Sequence, residues 1–304
     1  MSCPTCGSNQ HKIYLTKRTH AGDYTIVTCG QCGLLYLDPM PSAAELAAYY
    51  NNPDYFHGDE AGYEGDYTKQ RASIEHESQR RLNRIEALVP KAAGMQTRVL
   101  DFGCAAGYFL GVAQHRGWDI TGIELAQGMA AQASTSLGIT VHASFNANDF
   151  APASFDAITL WEVIEHLPEP RATLKELRRM LNPGGVLALS TPNTGHWQAQ
   201  HKPDWWSEFK PPAHVVFYTE QTLGEALRRV GFERIAFERT RPIAVSPMTM
   251  ARLHGLRDVL GDGADRRTPL WPLTSGVYRA ANALGGLRHR GEDAFIGLEA
   301  YAQP

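Results

Sequence analysis

No stretch of this chain approaches the roughly 18 apolar residues that cross a bilayer as a helix, so no membrane span is expected. Neither sign of charge is in excess: 29 Lys plus Arg face 32 Asp plus Glu, a formal net charge of −3. That balance gives no electrostatic reason to expect duplex nucleic acid or an anionic membrane as the main partner. Internal repeats and low-complexity tracts are lacking. The opening residues, MSCPTCGSNQHK, have neither the basic nor the apolar region of a secretion signal, so the expected compartment is the cytoplasm. Cysteine is scarce, with five in 304 residues. Hydrophobic residues at 43% and charged residues at 20% are ordinary for a globular chain and argue against disorder. The length suits one large domain or two unequal ones.

The few cysteines are unevenly placed. Four lie within the first 32 residues, as Cys3-Pro-Thr-Cys6-Gly and Cys29-Gly-Gln-Cys32-Gly. Paired CxxC elements at this separation suit one tetrahedral Zn²⁺. Gly7 and Gly33 follow the pairs, and glycine can take the positive φ that turns backbone N–H groups toward thiolates. Between the pairs, HKIYLT and YTIVT read as two short strands, so the segment is expected to be a zinc ribbon. Disulfides or unpaired thiols are the alternatives, and a reducing cytoplasm disfavours disulfides. Four Cys ligands leave no open position, so the metal is expected to be structural. Only Lys12, Lys17 and Arg18 lend the ribbon positive charge, too little to favour a nucleic-acid role.

The chain divides into a ribbon over 1–40, a helical and aromatic connector or lid over 41–92, and a larger domain over 93–304. Ser42-Ala-Ala-Glu45 is a capping box opening a short helix that ends near Tyr50. Tyr55, Phe56, Tyr63 and Tyr67 crowd the next segment, as a lid or as packing. Ile74, Leu82, Ile85 and Leu88 keep helical spacing up to Pro90. Strands are then expected at 98–102, 118–124, 139–143, 154–161, 184–192, 232–239 and 293–302. Helices are expected at 107–116, 126–137, 169–181 and 220–230, with a mostly helical insertion at 243–291. Alternation of this kind predicts a parallel α/β sheet whose ligands bind at the carboxyl ends of the strands.

The first of these strands runs into Asp101-Phe-Gly103-Cys-Ala105-Ala-Gly107. This is not the GxGxxG that seats a pyrophosphate. Glu124, at the end of the next strand, can accept both hydroxyls of a ribose, and Asp101 can order the loop or meet an ammonium. Two carboxylates with a small-residue loop suit a cationic, phosphate-free nucleoside, which S-adenosylmethionine is. VLDFGCAAGYF, GIE, SFDAITLWEVIEHLPEP and LNPGGVLALSTPN, in that order, resemble the successive motifs of class I S-adenosylmethionine-dependent methyltransferases. The resemblance implies a Rossmann-like seven-stranded α/β methyltransferase sheet. It implies that Asp101, Gly103, Ala105 and Gly107 hold the methionine part of S-adenosylmethionine and Glu124 the ribose. Phe145 and Trp161 complete the expected cofactor contacts. Cys104 reads as a small space-filler in the loop.

Methyl transfer from a sulfonium mainly needs alignment and exclusion of water, but a hydroxyl acceptor must also lose a proton. Glu162, Glu165 and His166 follow the fourth strand of that sheet, and His214 comes later. ExxEH with a further His resembles metal-assisted O-methyltransferases of the ubiquinone pathway and small-RNA 2′-O-methyltransferases. On a helical turn Glu162 and Glu165 would share a face. The set Glu162, Glu165, His166 and His214 could hold a divalent cation against an acceptor oxygen. The competing reading has Glu165 and His166 as braces and His214 as a general base. Trp197, Trp205 and Trp206, with His196, His201 and Lys202, form either a substrate wall or plain packing. The expected reaction is methyl transfer to a hydroxyl oxygen of a small molecule, sugar or lipid-linked intermediate, with a small-molecule or glycan acceptor as partner. The rivals are a sugar C-methyltransferase, an RNA 2′-O-methyltransferase and a non-catalytic ribbon protein with a degenerate cofactor fold. The 243–291 insertion, which mixes Leu, Met and Trp with Arg, is open to three roles: covering the acceptor, dimerising, or touching a lipid-like substrate.

Overall fold

The computed structural model describes residues 2–19, 22–52, 67–89, 95–242, 289 and 291–304. Tyr55, Phe56 and Tyr63 of the aromatic connector, and the 243–291 insertion apart from His289 and Gly291, lie outside them.

The ribbon begins with a hairpin, β1 (His11–Thr19) and β2 (Gly22–Cys29), followed by the short β3 (Leu35–Leu37). Next comes α1 (Ala43–Tyr50). Ser42 accepts from the Glu45 N–H, and the Glu45 carboxylate reaches back to Ser42, which completes the expected capping box. Then α2 (Arg71–Glu86) leads into the alternating part: β4 (Arg98–Phe102), α3 (Tyr108–His115), β5 (Asp119–Ile123) and α4 (Gln127–Leu137). It continues with β6 (Phe155–Trp161), α5 (Pro170–Met180), β7 (Leu181–Pro192), α6 (Trp197–His201), β8 (Val216–Phe217), α7 (Glu220–Arg229), β9 (Arg234–Pro242) and β10 (Phe295–Gln303).

The main sheet has the order β5-β4-β6-β7-β10-β9. The first four strands are parallel, and β10 is antiparallel to both neighbours. The chain reverses direction across the sheet between β5 and β6, on either side of β4, which opens a crevice at their carboxyl ends. Among the described residues six strands form this sheet. The seventh position, expected over 139–143, is held by one parallel bridge between Ile123 and His142. Two backbone hydrogen bonds, Glu124 N–H to His142 O and His142 N–H to Gly122 O, each 2.9 Å, secure it. Within 139–143 only Val141 is buried, and Asn146 soon caps a 3₁₀ turn, so there is little to extend the pairing.

Side chains alternate along the strands. Val186 and Ala188 of β7 enter one hydrophobic cluster, while Leu187 and Leu189 enter the other. Both faces are thus buried, as a largely parallel sheet requires. The cluster containing Leu187 and Leu189 also takes in Cys3, Cys29, Leu35, Tyr36 and Leu37 of the ribbon. The ribbon sheet has the order β1-β2-β3-β8, so β8 from the larger part of the chain completes it. Among the described residues no helix is long and apolar enough to cross a membrane.

Candidate active site

The glycine loop has the backbone its residues allow. Gly103 and Gly107 lie at φ +81° and +78°. A Cβ on Gly103 would sit 2.5 Å from Val163 Cγ2, and one on Gly107 2.7 Å from Leu137 Cδ1. Gly103 therefore lets the loop pass close to the segment that follows β6, and Gly107 lets α3 approach α4. Ala105, at φ +47°, holds a left-handed conformation that costs an L-residue about 1 kcal/mol or more. Its N–H donates to Glu124 Oε2 at 2.8 Å, and the Ala126 N–H donates to Glu124 Oε1 at 2.7 Å. Glu124 thus ties the loop to the start of α4. Burial pushes its carboxyl above the usual range, against these two backbone donors. Cys104 fills space as expected: its sulfur lies where a Cβ on Gly122 would be 2.9 Å away. Gly122 is thereby a loop-supporting residue that the sequence pattern did not single out.

A cleft of about 810 Å³ opens beside this loop at the carboxyl ends of the strands. Asp101, Gly103, Ala105 and Trp161 line it, together with Glu162, Glu165, His166 and His214. Gly107, Glu124 and Phe145 are not among its lining residues. Phe145 instead packs edge-on against Phe102, with ring centroids 5.0 Å apart. Asp101 is buried and accepts from the Thr159 hydroxyl at 2.6 Å. Burial raises its pKa to about 7, opposed by that hydroxyl and by the Arg81 charge. Arg81 reaches the cleft from α2, 4.0 Å above the Trp161 ring, while its Nε bonds the fully buried Glu299 at 2.9 Å. The sequence showed α2 only as helical periodicity, and nothing in that pattern distinguishes Arg81 from a solvated cation.

After β6, the expected helical turn over Glu162–Glu165 does not form. Glu162 takes φ +55°, and a 3₁₀ turn begins only at Ile164, so Glu162 and Glu165 do not share a helix face. The Glu162 N–H is held by Ser190 instead, through its carbonyl at 3.1 Å and its hydroxyl at 3.0 Å. A non-glycine residue in this region stores strain of the kind found at functional sites.

Glu165, His166 and His214 do converge, with a ligand atom from each within 4.8 Å of the others. The two rings meet edge to face at 4.8 Å. His166 Nδ1 lies 2.8 Å from the Ala213 carbonyl oxygen, and His214 Nδ1 2.8 Å from that of Glu208. A carbonyl oxygen can only accept, so both rings carry their proton on Nδ1 and keep a lone pair on Nε2. Burial lowers the His166 pKa to about 3, helped by His214, and burial also lowers that of His214. Both rings are therefore neutral at pH 7. Glu165 is buried, and among the described residues neither carboxyl oxygen meets a partner in hydrogen-bonding geometry, although the Thr191 hydroxyl lies beside it. Burial and the Glu162 charge push its pKa well above the usual range. Tyr50 of α1, which the sequence did not bring to this site, places its hydroxyl 3.0 Å from His166 Nδ1 and donates to the Ala213 carbonyl at 2.9 Å.

Trp197 and Trp206 of the aromatic loop pack, while Glu208, Lys210 and Ala213 farther along line the cleft. Trp206 is fully buried and stacks on His196 at 4.7 Å, and Trp197 stacks on His289 at 4.9 Å.

The four ribbon thiols also gather, all within 4.8 Å of one another. Cys3 and Cys32 sulfurs are 3.7 Å apart, and those of Cys6 and Cys29 3.5 Å. These separations exclude disulfides, whose S–S bond is about 2.05 Å. They match the edge of a tetrahedron with Zn–S bonds of about 2.3 Å. Gly7 and Gly33 take φ +79° and +76° behind the two pairs.

A family profile described as Methyltransferase domain matches residues 69–236, more than half of the chain. A ubiquinone biosynthesis O-methyltransferase of Xanthomonas campestris is 35% identical over 117 residues, covering 36% of this chain and 49% of that protein. The protein of the same name from Pseudomonas aeruginosa is 31% identical over 117 residues, covering 36% and 50%. The chain thus spans about half the length of these curated relatives. Among solved structures, an S-adenosylmethionine-dependent methyltransferase from Archaeoglobus fulgidus has a TM-score of 0.51 at 15% identity, covering 77% of this chain and 94% of that one. A Haemonchus contortus N-methyltransferase in complex with phosphomonomethylethanolamine and S-adenosylhomocysteine has a TM-score of 0.53 at 16% identity, covering 97% and 69%. At such identities the likeness is one of fold. With its ordered motifs, its glycine loop and the profile match, the chain belongs to the class I S-adenosylmethionine-dependent methyltransferase family.

Proposed function

We propose that this chain transfers a methyl group from S-adenosylmethionine to a hydroxyl oxygen of a small-molecule or glycan acceptor, with S-adenosylhomocysteine as co-product. The observation that carries the acceptor side is the pair of neutral histidines, each with an Nε2 lone pair, beside a buried Glu165 on the cleft wall. S-adenosylmethionine supplies an activated methyl group. Asp101, Gly103, Ala105 and Gly107 would hold its methionine part, Glu124 its ribose, and Phe145 and Trp161 the remainder. Glu124 already accepts two backbone N–H groups, so its contribution includes fixing the loop as well as offering further lone pairs. At the acceptor, His214 Nε2 takes the hydroxyl proton as the oxygen gains the methyl group. The Glu208 carbonyl on Nδ1 keeps that ring in the accepting tautomer.

Glu165, His166 and His214, with Glu162 nearby, also fit a divalent cation. Two imidazole nitrogens and a carboxylate that has no hydrogen-bond partner among the described residues form a mixed donor set. Such an ion would acidify an acceptor oxygen. Cys3, Cys6, Cys29 and Cys32 would hold a structural zinc, and the cytoplasm is the matching compartment. The ribbon over 1–40, connector over 41–92 and methyltransferase domain over 93–304 remain the proposed division, with strand pairing crossing between the first and the last.

The test uses methyl-labelled S-adenosylmethionine with catechol and simple glycosides as acceptor probes. Label should appear on oxygen. His214→Ala should lower turnover by about 100-fold or more, with cofactor affinity within about threefold of the parent. Because burial lowers the His214 pKa, turnover should hold down to pH 6.5 and fall only below the ordinary histidine range. Mild chelation that preserves ribbon zinc separates the two roles: lost activity supports the cation, unchanged activity the base alone. Parental turnover in His214→Ala would end both.

A further inference from the structure

We infer that the N-terminal ribbon and α1 are a positioning part of the acceptor site, holding His166, His214 and Glu165 in place. The inference rests on the acceptor role proposed above for these residues.

Three backbones lie side by side. The Leu37 N–H of β3 donates to the Val215 carbonyl at 2.9 Å, and the Val215 N–H donates to the Glu165 carbonyl at 2.8 Å. Val215 directly follows His214. β3 then continues along β8, with Leu35 opposite Phe217 and Tyr36 opposite Val216. The ribbon edge that could have received a partner strand is thus paired within the chain. Removing β3 leaves the His214–Phe217 segment pinned on one side only.

A second contact comes from α1. The Tyr50 hydroxyl meets both His166 Nδ1 and the Ala213 carbonyl that orients it. A third is Tyr218, fully buried, which shares the core cluster of Cys3, Cys29 and Ile164; among the described residues its hydroxyl has no hydrogen-bond partner, and Glu165, Cys3 and Cys32 all act on it electrostatically.

The ribbon core continues into the acceptor side. Cys3, Cys29, Leu35 and Leu37 share one core cluster with Ile164, Val215 and Tyr218. Ala213, whose carbonyl orients His166, clusters with Ala105 and Ala106 of the glycine loop, and Tyr50 packs against that group. Disturbance of the ribbon therefore reaches the segment that carries His214. A ring held by one carbonyl on Nδ1 loses both orientation and tautomer when that carbonyl moves, and displacement by about 1 Å can cost on the order of 100-fold in rate.

The experiment follows the side-chain nitrogens of His166 and His214 by NMR in the full chain, alongside zinc content and calorimetric titration with S-adenosylmethionine. In the parent both rings should show the Nδ1–H tautomer. Withdrawing the ribbon zinc should shift or broaden both sets of signals. Tyr50→Phe keeps the ring and removes the hydroxyl. It should shift the His166 signals and lower turnover on the catechol probe by about tenfold, with the KM for S-adenosylmethionine nearly unchanged. Cys32→Ser should reproduce zinc withdrawal, and if it does not fold, Tyr50→Phe and Tyr218→Phe decide the matter. Unchanged histidine signals after zinc withdrawal, or parental turnover and signals in Tyr50→Phe, would overturn the inference. Failure of the parent to bind S-adenosylmethionine would instead overturn the proposed function, and the histidine signals would still report on positioning.

Discussion

At Asp101 the proposed cofactor role and stability pull apart. A carboxylate with 2% exposure loses the hydration that favours its ionised form, and only Thr159 and Arg81 offset the loss. Its folded pKa, about 7, lies above its unfolded value near 3.8. Such a group stabilises the fold below pH 3.8, and that contribution is lost as pH rises through 7. Asp101→Asn should therefore gain stability relative to the parent as pH rises from 4 to 8, by on the order of 1–3 kcal/mol at the top. The same change should weaken S-adenosylmethionine binding. Paired denaturant titrations at several pH values and calorimetry would check both; a stability difference that does not vary with pH would refute the assignment. Glu162 and Ala105 show the same trade in backbone form, since each holds a positive φ beside the cleft.

At the scale of elements, the glycine loop is supported from β5. Gly122 faces Cys104 and Leu110 so closely that an added Cβ would lie 2.9 Å from the sulfur and 3.0 Å from Leu110 Cδ1. Gly122→Val would overpack that junction and cost about 1–3 kcal/mol. Because the strain falls on Cys104, cofactor affinity should fall as well, and Gly122→Val with Cys104→Ala should recover part of both. Thermal melts and cofactor titration of the single and double variants would show it; no recovery in the pair would mean the strain is released elsewhere. The elements themselves were largely legible. The capping box at Ser42, the periodicity of α2 and the alternating strands follow from local pattern. The exceptions have local causes: the run at 139–143 keeps one bridge because only Val141 is buried there, and Glu162 leaves the helix because Ser190 captures its N–H.

At the scale of the whole molecule, the ribbon is not a detachable module. Its apolar residues join the cluster under β7, and β8 completes its sheet. Unfolding of the ribbon alone would expose Leu35, Tyr36 and Leu37 and strip β8 of its partner. We therefore expect zinc withdrawal to lower the melting temperature of the entire chain in one transition, in place of an early melting of residues 1–38 ahead of the core. Calorimetry with and without chelator, joined to hydrogen exchange on Val216 and Leu187, would test this. Two separated transitions, with Leu187 protected through the first, would count against a shared core.

The sequence by itself determined the chemistry that could be present. Cysteine spacing specified a thiolate cluster, because two CxxC turns present four sulfurs wherever they are brought together. Hydrophobic period and glycine placement specified the α/β alternation and the loop after β4, because these are local steric demands. ExxEH and His214 named the candidate acceptor residues. What only the tertiary structure decided was which groups meet and in what protonation state. Tyr50 and Arg81 lie far from the motifs in sequence, and a lone tyrosine or arginine on a helix carries no signal of its target. The neutrality of both histidines comes from burial, which outweighs the opposite pull of two carbonyls, from Ala213 and Glu208; those carbonyls set the tautomer, and no spacing rule places them. The pairing of β3 with β8 joins residues about 180 positions apart through backbone hydrogen bonds, which any sequence can make and which therefore leave no mark on it.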